Sequence, residues 1–116
     1  MNVKYKKYIE YIVNDIEAPY LKSLEPYGLK QEEYVLVLSK VFNQPVTIKG
    51  NYVYDPNHNK IYGEDSDGYW EKYVYDSNGN LIYQEDSNGF WYKREYDQYG
   101  KLIYYENSYG YIIDKR

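Results

Sequence analysis

The second half of the chain repeats one pattern with a period of 21 residues. Tyr54-Asp55 recurs as Tyr75-Asp76 and again as Tyr96-Asp97, so residues 54–116 divide into three units, 54–74, 75–95 and 96–116. Other positions that keep their identity in every unit are Ile61, Ile82 and Ile103; Tyr62, Tyr83 and Tyr104; Glu64, Glu85 and Glu106; Ser66, Ser87 and Ser108; and Gly68, Gly89 and Gly110. A fixed period of this length is typical of repeat proteins, in which each unit buries its surface against its neighbours.

The units predict short strands joined by tight turns. Asp76-Ser77-Asn78-Gly79 reads as a type I turn that glycine closes at positive φ, and Ser87-Asn88-Gly89 reads as a second kind of turn. The predicted strands cover residues 46–48, 52–55, 60–64, 69–75, 81–85, 90–96, 102–106 and 110–113. We therefore predict an antiparallel meander of about seven to eight strands.

Neither face of this predicted sheet is uniformly apolar. Trp70 and Val74 share a face with Lys72, and strict alternation places Leu81 beside Tyr83. A β-sandwich requires a clean apolar face on each sheet. The sequence therefore predicts one twisted sheet that leaves much of its surface in water.

The first 44 residues predict a helical cap on the sheet. Apolar residues recur at three- and four-residue steps from residue 3 to about residue 18, as in an amphipathic helix that Pro19 ends. A short element is predicted from Tyr20 to Glu25, and a third helix from Lys30 through Phe42. The predicted class is α+β, with a cap of two to three helices at 1–44 and a β-repeat sheet at 45–116.

Composition narrows the possible partners. The 116 residues include 20 tyrosines and no cysteine, which excludes disulfides and thiolate metal sites. Residues 1–44 carry six Lys and six Asp or Glu, whereas residues 45–116 carry eight basic and twelve acidic residues, so the whole charge of −4 lies on the predicted sheet. An acidic sheet is unsuited to a phosphate backbone and suited to a basic protein surface.

The sequence also bears on location. Polar residues interrupt the segment after the basic N-terminus, so no signal-peptide core forms, and no run is apolar enough to span a bilayer. We expect a cytoplasmic location and no membrane partner. If the chain is phage-encoded, that cytoplasm is the host's.

Patterns for catalysis and metal binding are weak. Glu64, Glu85 and Glu106 recur in register as an acidic row, but paired carboxylates that act as acid and base need a pocket. His58 is the single histidine and lies in a turn, so no catalytic triad or histidine metal cluster forms. Residues 65–68 resemble part of a calcium loop, although turn geometry accounts for them. We predict no catalytic residue, no metal and no cofactor.

One segment resembles a known repeat. The spacing from Gly68 through Tyr75-Asp76 and Gly79 to Gly89 is similar to the YD repeat of Rhs-type proteins, and the resemblance covers residues 54–116. In large Rhs proteins many such repeats wind into a β-shell around a toxin, which three units cannot close. Small, acidic, cysteine-free chains with this texture resemble proteins of phages and mobile elements. By analogy of size and charge, this implies the character of an anti-CRISPR or other anti-defence inhibitor.

These observations predict a non-enzymatic protein-binding module. Its acidic, aromatic-rich sheet would dock on the basic nucleic-acid-binding surface of a host defence protein such as a CRISPR effector, because Tyr and Trp dominate protein interfaces. The predicted partner-binding residues are Glu64, Tyr69, Trp70, Tyr73, Tyr83, Glu85, Trp91, Tyr92, Tyr104, Tyr105 and Glu106.

Several alternatives stay open. The aromatic rows could serve sheet stability alone, or could stack on carbohydrate or a cell-wall ligand in a structural or adhesion module. The aromatic rows could also stack on single-stranded nucleic acid, but that binding would need a basic groove, and the predicted sheet is acidic. A helix-turn-helix regulator would need a second helix that does not begin with acids. The last strand, Tyr111-Ile112-Ile113, is an apolar edge that could pair into a homodimer.

Overall fold

A computed structural model describes residues 3–116, with side chains from residue 8 onward. Three helices precede the sheet: α1 (Val3–Asp15), α2 (Tyr20–Leu24), which continues into a 3₁₀ turn at Glu25–Tyr27, and α3 (Gln31–Val41). The first helix was predicted to reach about residue 18 but ends at Asp15. The residues before Pro19 leave helical geometry, since proline disfavours it in the residue that precedes it. No helix within residues 3–116 has the length and apolar character needed to cross a bilayer.

Eight strands form one antiparallel sheet in which neighbours in sequence are neighbours in space. The strands are β1 (Thr47–Lys49), β2 (Tyr52–Tyr54), β3 (Lys60–Glu64), β4 (Trp70–Tyr75), β5 (Leu81–Asp86), β6 (Trp91–Tyr96), β7 (Leu102–Asn107) and β8 (Ile112–Asp114). The sheet is an open meander with β1 and β8 at its edges. The predicted combination of N-terminal helices and a single antiparallel meander is confirmed.

The hairpin loops that begin at residues 55, 65, 76, 86, 97 and 107 share one geometry. In the loop after β4, the Gly79 N–H donates to the Asp76 carbonyl, and Asp76 Oδ1 accepts from the N–H groups of Asn78 and Asn80. The loop after β5 makes the same bonds around Asp86, so the prediction of two kinds of turn was wrong. The second kind begins one residue earlier than predicted, at Asp65, Asp86 and Asn107.

Other contacts also recur after 21 residues. The Tyr75 hydroxyl donates to the Lys60 carbonyl at 2.7 Å, and the Tyr96 hydroxyl donates to the Leu81 carbonyl at 3.1 Å. Ser87 Oγ and Ser108 Oγ each accept, at 3.2 Å, the backbone N–H of the tryptophan that begins the neighbouring strand. These bonds tie each strand to the one before it, which accounts for the recurrence of tyrosine and serine in the sequence.

Register irregularities change which side chains share a face. Val74 pairs with Tyr83, but Tyr75 pairs with Leu81, so an extra residue, Ile82, lies between the two pairs. A β-bulge of this kind shifts the alternation by one residue. Leu81 therefore lies on the opposite face from Tyr83, and the prediction that they share a face was wrong.

The helices cover one face of one half of the sheet. The fully buried core joins Ile9 and Ile12 of α1 to Leu38 of α3 and to Val53 and Tyr62 of the sheet. Along the chain, the residues packed against this core end at Tyr75 in β4. We call the face that carries Val53 and Tyr62 the helix-bearing face and the opposite one the bare face. Within the described chain, β5 to β8 extend beyond the helices as a single layer.

Candidate functional site

The first repeat unit holds the start of α2 through two polar side chains. Glu64 is 9% exposed, and its carboxylate accepts the N–H groups of Leu21 at 3.1 Å and Lys22 at 2.8 Å. The Tyr62 hydroxyl accepts the Tyr20 N–H at 2.9 Å and donates to Glu64 Oε2 at 2.5 Å. The first N–H groups of a helix have no partner inside the helix, so this pair supplies acceptors for them.

Two neighbours on β4 complete this arrangement. Trp70 pairs with Glu64 and Lys72 pairs with Tyr62 in the strand ladder. The Lys72 ammonium lies 5.0 Å from the ring centroids of both Tyr20 and Trp70 and donates to the Tyr20 hydroxyl at 3.2 Å. Such cation–π contacts favour a lysine between two aromatic rings. We call Tyr62, Glu64, Trp70 and Lys72 the covered site, because residues 20–22 lie over it.

The same four residue types recur 21 positions later. Tyr83 pairs with Lys93, and Glu85 pairs with Trp91, in the register of the covered site. The Lys93 ammonium lies 5.2 Å from the Trp91 ring centroid, as Lys72 does over Trp70. All four belong to strands that lie beyond the helices, so we call them the uncovered site.

The uncovered site is looser than the covered one. The Tyr83 hydroxyl is 3.4 Å from Glu85 Oε2, and the Glu85 side chain is 36% exposed. Burial of the Tyr83 ring, followed by the charge of Glu85, raises the pKa of Tyr83 above its ordinary value. Lys72 Nζ reaches Glu85 Oε1 at 3.9 Å and so lies between the two sites. Beside Tyr83 and Lys93 lies a shallow depression of about 450 Å³.

The third unit keeps half of the arrangement. The Tyr104 hydroxyl donates to Glu106 at 2.8 Å, but Ile112 and Asp114 take the positions of the tryptophan and the lysine. The Arg116 guanidinium lies 4.1 Å from the Tyr104 ring centroid and binds Asp114 and Glu95 at 3.1 Å each. The chain's own C-terminal residue therefore covers the tyrosine of this unit.

The sheet divides the predicted binding residues between its two faces. Seven lie on the helix-bearing face: Glu64, Trp70, Tyr83, Glu85, Trp91, Tyr104 and Glu106. The other four, Tyr69, Tyr73, Tyr92 and Tyr105, lie on the bare face. Glu64 is buried and bonded to the chain's own amides, and Trp70 packs against the core, so both serve the fold.

The bare face carries a separate tyrosine cluster. Lys60 Nζ lies 5.0 Å from the ring centroids of both Tyr52 and Tyr73, and Glu71 accepts hydrogen bonds from the hydroxyls of Tyr69 and Tyr73. These five residues line a depression of about 250 Å³. A Cβ at Gly63 would lie 2.7 Å from the Tyr52 ring, so glycine is needed for the ring to pack on that strand.

Half of the sheet's acidic residues lie in its hairpin loops rather than on its faces. Of the twelve acidic residues in 45–116, six are aspartates of the hairpin loops: Asp55, Asp65, Asp67, Asp76, Asp86 and Asp97. Five of them, all but Asp67, use the first carboxylate oxygen to accept backbone N–H groups, as at Asp76, where the Asn80 N–H is the main cause of a lowered pKa. Within the described residues, no three metal-ligating side chains cluster around a point.

Sequence reasoning did not single out the two lysines. Lys72 and Lys93 stand at equivalent positions and follow a tryptophan by two residues, which places each ammonium over the ring on the same face. The repeat alignment contains this Trp-x-Lys signal in the first two units and lacks it in the third. The pairing of neighbouring strands is what brings each lysine beside the tyrosine and glutamate of the preceding strand.

Comparisons with known proteins do not identify a family for this chain. No family model matches the chain, and a search of curated proteins finds no match.

Proposed function

We propose that this protein is a non-enzymatic binding module that docks on a partner protein through the helix-bearing face of β5 and β6. The observation that carries the proposal is the uncovered site, whose four residues repeat a cluster that already holds a chain segment in the first unit. Trp91 and Tyr83 supply the aromatic area that anchors protein interfaces. Glu85 supplies the acceptor that orients the bound chain.

The three 21-residue units take different roles in this proposal. The first unit, 54–74, anchors the helices through Tyr62 and Glu64. The second unit offers its copy of that cluster to a partner. In the third unit, Arg116 lies over the Tyr104 ring, so this tyrosine is already covered by the chain itself. The docking surface therefore ends at β6 and leaves out Tyr104 and Glu106.

A basic partner fits the charge of the sheet. The formal charge of −4 lies on residues 45–116, and Glu85 lies directly across the ladder from Trp91 of the second unit. Charge complementarity of this kind speeds association and suppresses wrong partners. The favoured partner is the nucleic-acid-binding surface of a bacterial defence protein, as for a phage or mobile-element inhibitor with anti-CRISPR character. This identity rests on size, charge and the YD-repeat resemblance.

A pull-down from bacterial lysate tests the proposal. The tagged protein should capture a basic protein at low salt and lose much of it at high salt, because exposed charge pairs are screened. The Trp91→Ala variant should lose capture. The Tyr92→Ala variant is the matched control, since it removes an aromatic ring of the same strand from the opposite face. Equal capture by both variants would contradict the assignment of the face, and no protein capture would contradict the function.

The bare face favours a second candidate, carbohydrate binding. The depression around Tyr52, Tyr69 and Tyr73 combines tyrosine rings with a carboxylate and an ammonium, which suits stacking on a sugar and hydrogen bonding to its hydroxyls. A glycan array distinguishes the two functions. Binding that Tyr73→Ala abolishes and Trp91→Ala leaves intact would favour carbohydrate binding.

A further inference from the structure

We propose that the uncovered site recognises a chain segment of the partner that presents two consecutive free backbone N–H groups beside an aromatic side chain, as at the first turn of a short helix. The inference rests on the proposed docking function and names the feature of the partner that is bound. Its basis is the pairing of Tyr83, Glu85, Trp91 and Lys93 in the register of the covered site.

The covered site shows what this cluster binds. Its carboxylate accepts two successive N–H groups, those of Leu21 and Lys22, and its tyrosine hydroxyl accepts the N–H of Tyr20. The Tyr20 ring packs on the Tyr62 ring at 5.3 Å between centroids and receives the ammonium of Lys72. Three backbone donors and one aromatic ring therefore define the bound segment.

The uncovered site offers the same groups in the same order across two strands. Glu85 has its carboxylate where Glu64 accepts the two N–H groups, and Tyr83 has its hydroxyl where Tyr62 accepts the third. Lys93 lies over Trp91 in the position from which Lys72 contacts the bound aromatic ring. A carboxylate at the centre favours N–H donors and disfavours phosphate or another carboxylate. The favoured ligand is therefore polypeptide with free donors.

Within the described residues, no other segment of the chain occupies this site. Residues 20–22 are bonded to the covered site, and the Arg116 guanidinium lies over Tyr104 of the third unit. A segment from a partner protein is therefore the occupant that the contacts predict. A second copy of this chain could reach the site only by releasing its own α2, which would appear as a domain-swapped dimer.

A peptide titration tests the inference before the partner itself is identified. The probe is a synthetic peptide with the sequence of residues 17–28, which contains α2 and the 3₁₀ turn. The readout is the ¹⁵N NMR spectrum of the full chain, in which Trp70 and Trp91 give two indole signals. The Trp91 signal and the backbone amides of β5 and β6 should shift saturably, and the Trp70 signal should stay in place.

Matched variants make the outcome specific. Glu85→Gln should weaken peptide binding by about tenfold, because it replaces one acceptor oxygen with a donor. Glu106→Gln changes the same residue type in the unit that lacks the tryptophan and lysine, and binding should stay within about twofold. A peptide with Tyr20 replaced by Ala should bind more weakly than the native sequence. A monomeric protein by sedimentation excludes domain swapping as the cause of the shifts.

The result that overturns the inference differs from the one that overturns the function. Absence of a saturable Trp91 shift, equal weakening by Glu85→Gln and Glu106→Gln, or a domain-swapped dimer would overturn the recognition of an N–H-presenting segment. The docking function would survive any of these if lysate capture still depended on Trp91. Loss of capture dependence on Trp91 would remove the docking function itself.

Discussion

The 21-residue sequence pattern runs through both halves of the sheet, but the two halves have different surroundings. In the half that spans β1 to β4, the helices bury Tyr62 and Val53 completely, and the core residues come from three helices and the sheet together. In the half that spans β5 to β8, within the described chain, the strand residues are half-buried or exposed. The repeat supplies hydrogen-bonded ladders and loops to both halves. A packed core forms where the helices add aliphatic side chains.

This difference shows how one local sequence can serve stability in one place and be available for binding in another. Glu64 and Glu85 have equivalent positions in the ladder, yet Glu64 is buried and Glu85 is half-buried. The change lies in what covers them rather than in the strands. Substitutions at equivalent positions in the two halves should therefore change the free energy of unfolding by unequal amounts.

The largest expected difference is in the core. Leu38→Ala should lower the free energy of unfolding by about 3 kcal/mol, because it leaves a cavity among fully buried side chains. Leu81→Ala, in a half-buried strand position beyond the helices, should lower it by about 1 kcal/mol. Urea unfolding of both variants measures the two values. Equal losses would show that β5 to β8 have a core of their own.

The next expected difference is between the equivalent glutamates. Glu64→Gln should lower the free energy of unfolding by about 2 kcal/mol, since the new amide group faces the donors of the α2 start and the Tyr62 hydroxyl. Glu85→Gln should change it by less than about 0.5 kcal/mol. Thermal and urea unfolding of the two variants give the comparison. A Glu85→Gln loss as large as that of Glu64→Gln would contradict it.

Alkaline pH should destabilise the helix-covered half through Tyr62. Burial of the Tyr62 ring and its hydrogen bond to Glu64 raise its pKa well above the ordinary value. From about pH 10 upward the unfolded chain loses the phenol proton first, so stability should fall as the pH rises. Tyr62→Phe should be less stable at pH 7 and should lose less stability between pH 9 and 11. An unchanged pH slope in that variant would contradict this role.

The smallest expected effect is in the hairpin loops. The N–H groups of Asn80 and Asn78 lower the pKa of Asp76. The unfolded carboxylate takes up its proton first as the pH falls below about 4, so the contribution of this loop to stability should be lost in acid. Asp76→Asn keeps an acceptor oxygen and should flatten the acid limb slightly. An acid limb that Asp76→Asn leaves as steep as in the native protein would contradict this role.

Much of the fold follows from local sequence. The 21-residue period and the turn glycines predicted the bounds of the strands to within two residues. Gly79 and its equivalents lie at positive φ, so each glycine correctly marked a turn between two strands. The alternation of faces failed at Leu81, since a bulge depends on how two strands pair rather than on either strand alone. Likewise, the loop after β3 was predicted to begin at Ser66, but it begins at Asp65, because the Asp65 carboxylate accepts the N–H groups of Asp67 and Tyr69.

The candidate site could be predicted only in part. Tyr83, Glu85 and Trp91 were chosen as members of aromatic and acidic rows, and Lys93 was missed because it is not repeated in the third unit. Glu64 and Glu85 occupy the same position in successive units, so the sequence gives no reason to assign them different roles. Long-range contacts from residues 20–22 separate the two, and no local pattern encodes contacts across more than 40 residues.

The most direct test of the central claim is solvent paramagnetic relaxation of the aromatic side chains, measured in the free protein and in complex with the captured partner. If the helix-bearing face of β5 and β6 is the docking surface, the Tyr83 ring and the Trp91 indole should be shielded from a soluble gadolinium chelate in the complex, whereas Tyr92 and Tyr105 should keep their relaxation. Shielding of Tyr92 and Tyr105 with no change at Trp91 would contradict it.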